Sequence, residues 1–166
     1  MIAPSEVKRV ATEQEKENWR FAVYLKDHVD PEELDRQFYE LHQELFAQYD
    51  CCYCNNCCTS YYISIHEEDI APLVTFFQTT REEFVKGHFV AAEEGYDIPP
   101  PCPFLLRDGK CFVQEIKPRV CRAFPFTDQP GQLDNFFGVI ELAVVCPIVF
   151  EIIQRLRQIY HYEATN

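Results

Sequence analysis

Residues 51 to 58 read Cys-Cys-Tyr-Cys-Asn-Asn-Cys-Cys, so Cys51, Cys54, Cys57 and Cys58 form a C-x-x-C-x-x-C-C run with Cys52 inside it. A turn that presents thiols two residues apart points them at one centre, and thiolates held that close repel unless a cation neutralises them. The run therefore predicts a fold organised around a metal or iron–sulfur centre. Cys102, Cys111, Cys121 and Cys146 follow as singletons that would complete the coordination.

The rest of the composition bounds the setting. A chain of 166 residues, 47% hydrophobic with 14 Phe and nine Tyr, is long and apolar enough to bury a core and reads by length as one domain. Its net charge of −12 gains nothing from counterion release and is repelled by anionic surfaces, so neither nucleic acid nor a membrane is an expected partner. The polar N-terminal stretch carries no secretory signal. The longest apolar stretch, 136 to 153, contains Glu141, Pro147 and Glu151 and is expected to be a core strand or turn leading into a helix. These features place the chain in the cytoplasm, where thiols stay reduced and a disulfide framework is not expected.

Local signals give the organisation. The first fifty residues read as two helices. Thr12 with Glu15 suggests a capping box for the first, and Asp30-Pro31-Glu32-Glu33 starts the second. Leu34, Phe38, Leu41, Leu45 and Tyr49 then share a face. Residues 61 to 65 are β-prone, and His66-Glu67-Glu68-Asp69 opens a helix through Phe77. Thr80-Arg81-Glu82-Glu83 is a second capping box, for a short helix expected to stop at Gly87. Asp108-Gly109 between two apolar runs signals a hairpin that brings Cys102 and Cys111 together. Pro147 starts a last helix whose stripe is Ile148, Val149, Ile152, Ile153, Leu156 and Ile159. The fold class expected is α+β and mainly helical, with helices packed around a small cysteine-rich β-hairpin core. An N-terminal helical pair would occupy 1–49, the cysteine region 50–147 and the C-terminal helix 148–166.

Two kinds of centre suit these thiols. Structural zinc usually takes two C-x-x-C knuckles, and only one such run exists here, so zinc would need singletons as well. A cubane [4Fe–4S] cluster takes three thiolates from one tight loop and a remote fourth, commonly before proline. Cys102 and Cys146 each precede proline. The triple spacing favours iron–sulfur over zinc. Cys57 and Cys58, being adjacent, diverge and serve one centre poorly, so two centres are also compatible with the count.

Taken together, C-x-x-C-x-x-C-C, Cys102-Pro103-Phe104-Leu105, Asp108-Gly109-Lys110-Cys111 and the stretch from Lys117-Pro118 through Cys121-Arg122-Ala123-Phe124-Pro125-Phe126 resemble the YkgJ-type cysteine-cluster family over roughly residues 50 to 147. The resemblance implies zinc or iron chelation, with Cys51, Cys54, Cys57, Cys58, Cys102, Cys111, Cys121 and Cys146 as metal ligands. Cys52 lies outside the pattern and is expected to be a spectator. The family usually has Arg where Lys117 stands, and Lys lacks the guanidinium fork. A related cysteine region occurs in the longer flagellin lysine methylases, whose activity does not carry over by this resemblance.

Lys110, Lys117, Arg119 and Arg122 could offset the charge of a four-thiolate centre, or could serve as ordinary surface ion pairs. Among the five histidines, His66 and His88 are the better functional candidates, though each reads more naturally as non-ligating. Glu67, Glu68 and Asp69 suit a positive helix end better than catalysis. No phosphate loop, dinucleotide fingerprint, nucleophile elbow or zincin helix is present. The leading expectation is a metal-binding protein holding one or two iron–sulfur or zinc centres, redox-active or accessory to protein modification, with a protein or redox partner. A structural zinc module or metallochaperone, and a cluster-dependent enzyme, are the alternatives. No catalytic residue is identified.

Overall fold

Asp30 starts the helix that the sequence marks most plainly. Its carboxylate accepts the amides of Glu32 and Glu33, both at 3.1 Å, with Pro31 at the first helical position. The computed structural model describes residues 1–163. In chain order its elements are α1 (Val7–Glu13), α2 (Glu15–His28), α3 (Pro31–Phe46), α4 (Cys51–Cys54), α5 (Asn56–Ser60), β1 (Ile63–Ile65), α6 (Glu67–Phe77), α7 (Arg81–His88), β2 (Val90–Ala91), β3 (Tyr96–Ile98), α8 (Arg119–Ala123), α9 (Phe136–Ala143) and α10 (Pro147–Ile159). A 3₁₀ turn over Gln114–Ile116 precedes α8. The fold is mainly helical α+β. Among the described residues no helix is long and apolar enough to cross a membrane.

These elements form two compact units. The first joins residues 1–50 with 125–166, and its elements among the described residues are all helices. Helix α3, which buries Leu34, Phe38, Leu41 and Leu45 on one face, packs against α10, which buries Ile148, Val149, Ile152, Ile153 and Leu156, and α2 buries Phe21 and Leu25. Ile159, expected in the buried stripe, is exposed. The segment at 136 to 143, read as a strand or turn, is instead a helix, α9. The Thr12–Glu15 capping box also does not form. Thr12 lies inside α1, with its hydroxyl bonded back to the Lys8 carbonyl at 2.7 Å, and α2 starts after Gln14 with no side-chain cap. The expected N-terminal pair is thus three helices.

The second unit spans residues 51–124. Its antiparallel sheet has the order β1-β3-β2, with Ile63 opposite Ile98 and Val90 opposite Asp97. No strand of this sheet carries a cysteine. Thr80 and Glu83 form the reciprocal capping box at the start of α7, which runs through Gly87 to His88. Ile63, Ile98, Phe84, Phe104 and Val113 are buried in one cluster, with Cys102, Cys111 and Cys121 packed partly buried against it. At the Asp-Gly turn Phe112 donates to Phe104 at 2.8 Å and Leu106 to Lys110 at 2.9 Å. The ladder stops at a single bridge, Leu105 to Cys111.

Candidate metal centre

The cysteine run folds as two short helical turns with a reversal between them. Asn55 makes that reversal at φ 54°, a left-handed conformation Asn tolerates better than most residues. The Asn55 side-chain amide donates to the Cys52 carbonyl at 2.6 Å, and its backbone amide to the Cys51 carbonyl at 3.0 Å. Two remote segments dock onto this loop. The Cys102 amide donates to the Cys58 carbonyl at 2.6 Å. Gly109, at φ 85°, packs so closely on the Cys52 carbonyl that a Cβ there would collide with it.

Two adjoining cavities result. The first, of about 50 Å³, is lined by Cys57, Cys58, Cys102, Cys111 and Cys121, with Lys117 and a wall of Ile63, Ile98, Phe104, Val113 and Phe124. The second, of about 60 Å³, shares those five cysteines and Lys117 and adds Cys51, Cys52, Asn55 and Gly109. Neither is lined by a histidine or a carboxylate. An all-sulfur donor set of this kind fits zinc or an iron–sulfur cluster and fits magnesium or calcium poorly. Among the described residues no three His, Cys, Asp or Glu side chains are already set around one point as ligands of a single ion. The thiols converge on the cavities without being closed on a centre.

Six of the eight expected ligands line these cavities: Cys51, Cys57, Cys58, Cys102, Cys111 and Cys121. Cys54 is half-buried and lines neither. Cys146 is buried at the residue preceding α10, in the other unit. Cys52, outside the expected set, lines the second cavity. His88 stacks on Phe84 with ring centroids 4.4 Å apart and bonds the Phe84 carbonyl through Nδ1, a packing role, while His66 is exposed ahead of α6.

The four nearby cations divide by partner. Arg119 bonds Asp69 at 3.2 Å through its amide and at 3.3 Å through Nε, and Glu68 at 2.9 Å through Nη2, fastening α8 and Cys121 to the start of α6. Asp69 is thereby a positioning residue that sequence reasoning assigned to the helix dipole alone. Nothing local signals a partner fifty residues away. Lys110 pairs with Asp108, and the Arg122 Nε donates to the Lys117 carbonyl at 2.6 Å. Only Lys117 of the four lines the cavities.

The thiols differ in acidity for physical reasons. A hydrogen bond from Cys57, aided by the charge of Lys117, pulls Cys58 down to about 7 against the cost of burial. Burial pushes Cys102 up to about 11 and Cys121 up to about 12, and the charges of neighbouring thiolates add to both. Cys111 is also raised, mainly by burial, with the charges of Cys58 and Cys52 contributing. Cys58 is thus the most acidic of these four thiols, while burial favours the protonated form of Cys102, Cys111 and Cys121.

No curated protein and no solved structure matches this chain. A family model does, over residues 50–147, more than half of the chain; the family is CxxCxxCC, described as "Putative zinc- or iron-chelating domain". That match begins one residue before the thiol loop, spans every cavity-lining cysteine and ends just after Cys146, so the chain belongs to the CxxCxxCC family.

Proposed function

We propose that residues 51–124 hold a thiolate-bound metal centre, an iron–sulfur cluster of the [4Fe–4S] type in preference to zinc. The observation that carries this reading is the convergence of seven cysteines on two adjoining cavities that no carboxylate or imidazole enters. Four thiolates saturate a tetrahedral zinc and four also complete a [4Fe–4S] cluster, so seven exceed the need of one centre of either kind, and the preference for iron–sulfur rests on the two-residue spacing of Cys51, Cys54 and Cys57. Cys57, Cys58, Cys102, Cys111 and Cys121 are the ligand candidates common to both cavities, and the assignment rests on the cysteines of this unit alone. When bound, such a cluster supplies one-electron redox chemistry.

The chain's own residues do the rest. Phe104, Phe124 and Val113 keep the sulfurs from bulk water, and Lys117 offsets thiolate charge. Cys58, with its lowered thiol value, is the member of the set that ionises most readily for a metal. The role that follows is redox, or accessory to modification of another protein, in the cytoplasm and with a protein partner.

A second reading, a zinc module or metallochaperone, draws on the exposure of Cys51 at the rim, which gives a partner's thiol access for metal exchange. A cluster-dependent enzyme is a third, and it would need a substrate site beyond these cavities. Purification without oxygen, followed by metal, sulfide and visible-absorption analysis, decides among them. Brown protein with iron and acid-labile sulfide is expected. Colourless protein with stoichiometric zinc that takes up no iron on reconstitution overturns the iron–sulfur reading.

A further inference from the structure

The C-x-x-C-x-x-C-C pattern leaves Cys52 out and counts Cys54 in, yet the cavity is lined by Cys52 and not by Cys54. Residues 51 to 54 make a single helical turn, α4. Residues three apart on a helix share a face, yet of Cys51 and Cys54 only Cys51 lines the cavity, so the first half of the turn, with Cys52, is the part that faces it. What brings that half of α4 to the cavity is the docking of the Asp-Gly turn on it. The Cys52 carbonyl is clamped between the Asn55 side-chain amide at 2.6 Å and the Gly109 backbone of the Asp-Gly turn that also presents Cys111. The Cys52 backbone is thus packed directly against that turn and tied within its own loop by Asn55. We propose that Cys52 is a ligating thiol of the metal centre, contributing beside Cys111 a donor that the family's eight-cysteine pattern does not include.

This inference rests on the metal-binding reading, and the experiment separates the two. The full chain is loaded anaerobically with iron and sulfide, and in parallel with Co²⁺ as a spectroscopic stand-in for zinc. Metal retention against a chelator is then compared for wild type, Cys52→Ser and Cys52→Ala. Both variants are expected to lose metal about tenfold faster than wild type, or to load substoichiometrically, with weakened sulfur-to-cobalt charge-transfer absorption. Alkylation of the unsubstituted chain, mapped by mass spectrometry with and without metal, gives a readout that needs no variant to fold. Cys52 is expected to be modified in the apoprotein and protected in the loaded one. If both variants load and retain metal as wild type does, or if Cys52 is alkylated equally with and without metal, the inference is overturned while the metal-binding reading stands. A wild-type chain that takes up neither iron nor cobalt overturns both.

Discussion

The Cys102 amide donates to the Cys58 carbonyl at 2.6 Å, so the last thiol of the loop and the first singleton are joined through their backbones. Thiols 44 positions apart are thereby held at one cavity by a bond that involves no side chain. The arrangement leaves both sulfurs available to a metal. A second docking contact, between Gly109 and the Cys52 carbonyl, fixes the other end of the loop.

The second contact yields a direct prediction. Gly109 combines a left-handed φ of 85° with backbone packed where a Cβ would stand. Gly109→Ala therefore meets a conformational penalty of about 1–2 kcal/mol and, in addition, a collision with the Cys52 carbonyl. Lower thermal stability and reduced metal content are expected together. Wild-type metal stoichiometry and an unchanged Tm in Gly109→Ala would show that the turn does not brace the loop.

Charge inside the cavity is carried by Lys117. Removing it as Lys117→Met leaves a multi-thiolate centre without its nearby cation. Apparent metal affinity should fall about tenfold, with a lower reduction potential if the centre is iron–sulfur. Lys117→Arg keeps the charge and should restore most of both. Potentiometry and chelator competition on the three proteins check this, and identical values for Met and Lys would remove any electrostatic role.

Thiol acidity predicts a pH dependence of the reduced apoprotein. Cys102 and Cys121 have folded-state values raised to about 11 and about 12, chiefly by burial. Below the ordinary thiol value both states are protonated and the groups cost nothing. As pH climbs from there, the unfolded chain ionises first, so stability falls until the folded values are passed. Denaturant titrations of the apoprotein should show alkaline loss of stability, and Cys121→Ala should flatten that slope. At neutral pH the same protonated thiols must release protons to bind metal, so uptake should acidify a weakly buffered solution and strengthen as pH rises. Uptake that neither releases protons nor responds to pH contradicts this account.

Much of this arrangement was legible in the sequence wherever the cause is local. The Asp30 cap and the Thr80–Glu83 capping box sit within four residues of their partners and form as expected. Thr12 fails because its hydroxyl finds the Lys8 carbonyl one turn back, which lets α1 run on through the supposed cap. The sheet pairing of β2 with β3 was missed because a two-residue strand shows no period. The Asp-Gly turn signalled that Cys102 and Cys111 come to one place, and both line the cavities. The placement of Cys52 rather than Cys54 on the cavity was not signalled, since it depends on a turn more than fifty residues later. The Arg119–Asp69 tie is invisible for the same reason.

Metal removal tests how far the centre supports the second unit. Cys102, Cys111 and Cys121 pack against the same buried cluster that holds Phe84, Phe104 and Val113, so a metal bound by those sulfurs braces the segments that close the core. A ligand that binds only the folded state adds RT ln(1 + [L]/Kd), about 4 kcal/mol at a thousandfold excess over Kd. Anaerobic chelation should therefore lower Tm and release amide protection most strongly in residues 51–124, where the thiol cavities lie. Phe84→Ala serves as a control that weakens the same cluster without touching sulfur. It should cost about 3–5 kcal/mol in the metal-free chain as well. Calorimetry and hydrogen exchange on loaded, stripped and Phe84→Ala protein separate the two contributions. An unchanged Tm after complete stripping, beside a large loss in Phe84→Ala, would mean that the core alone holds this unit and the metal is cargo.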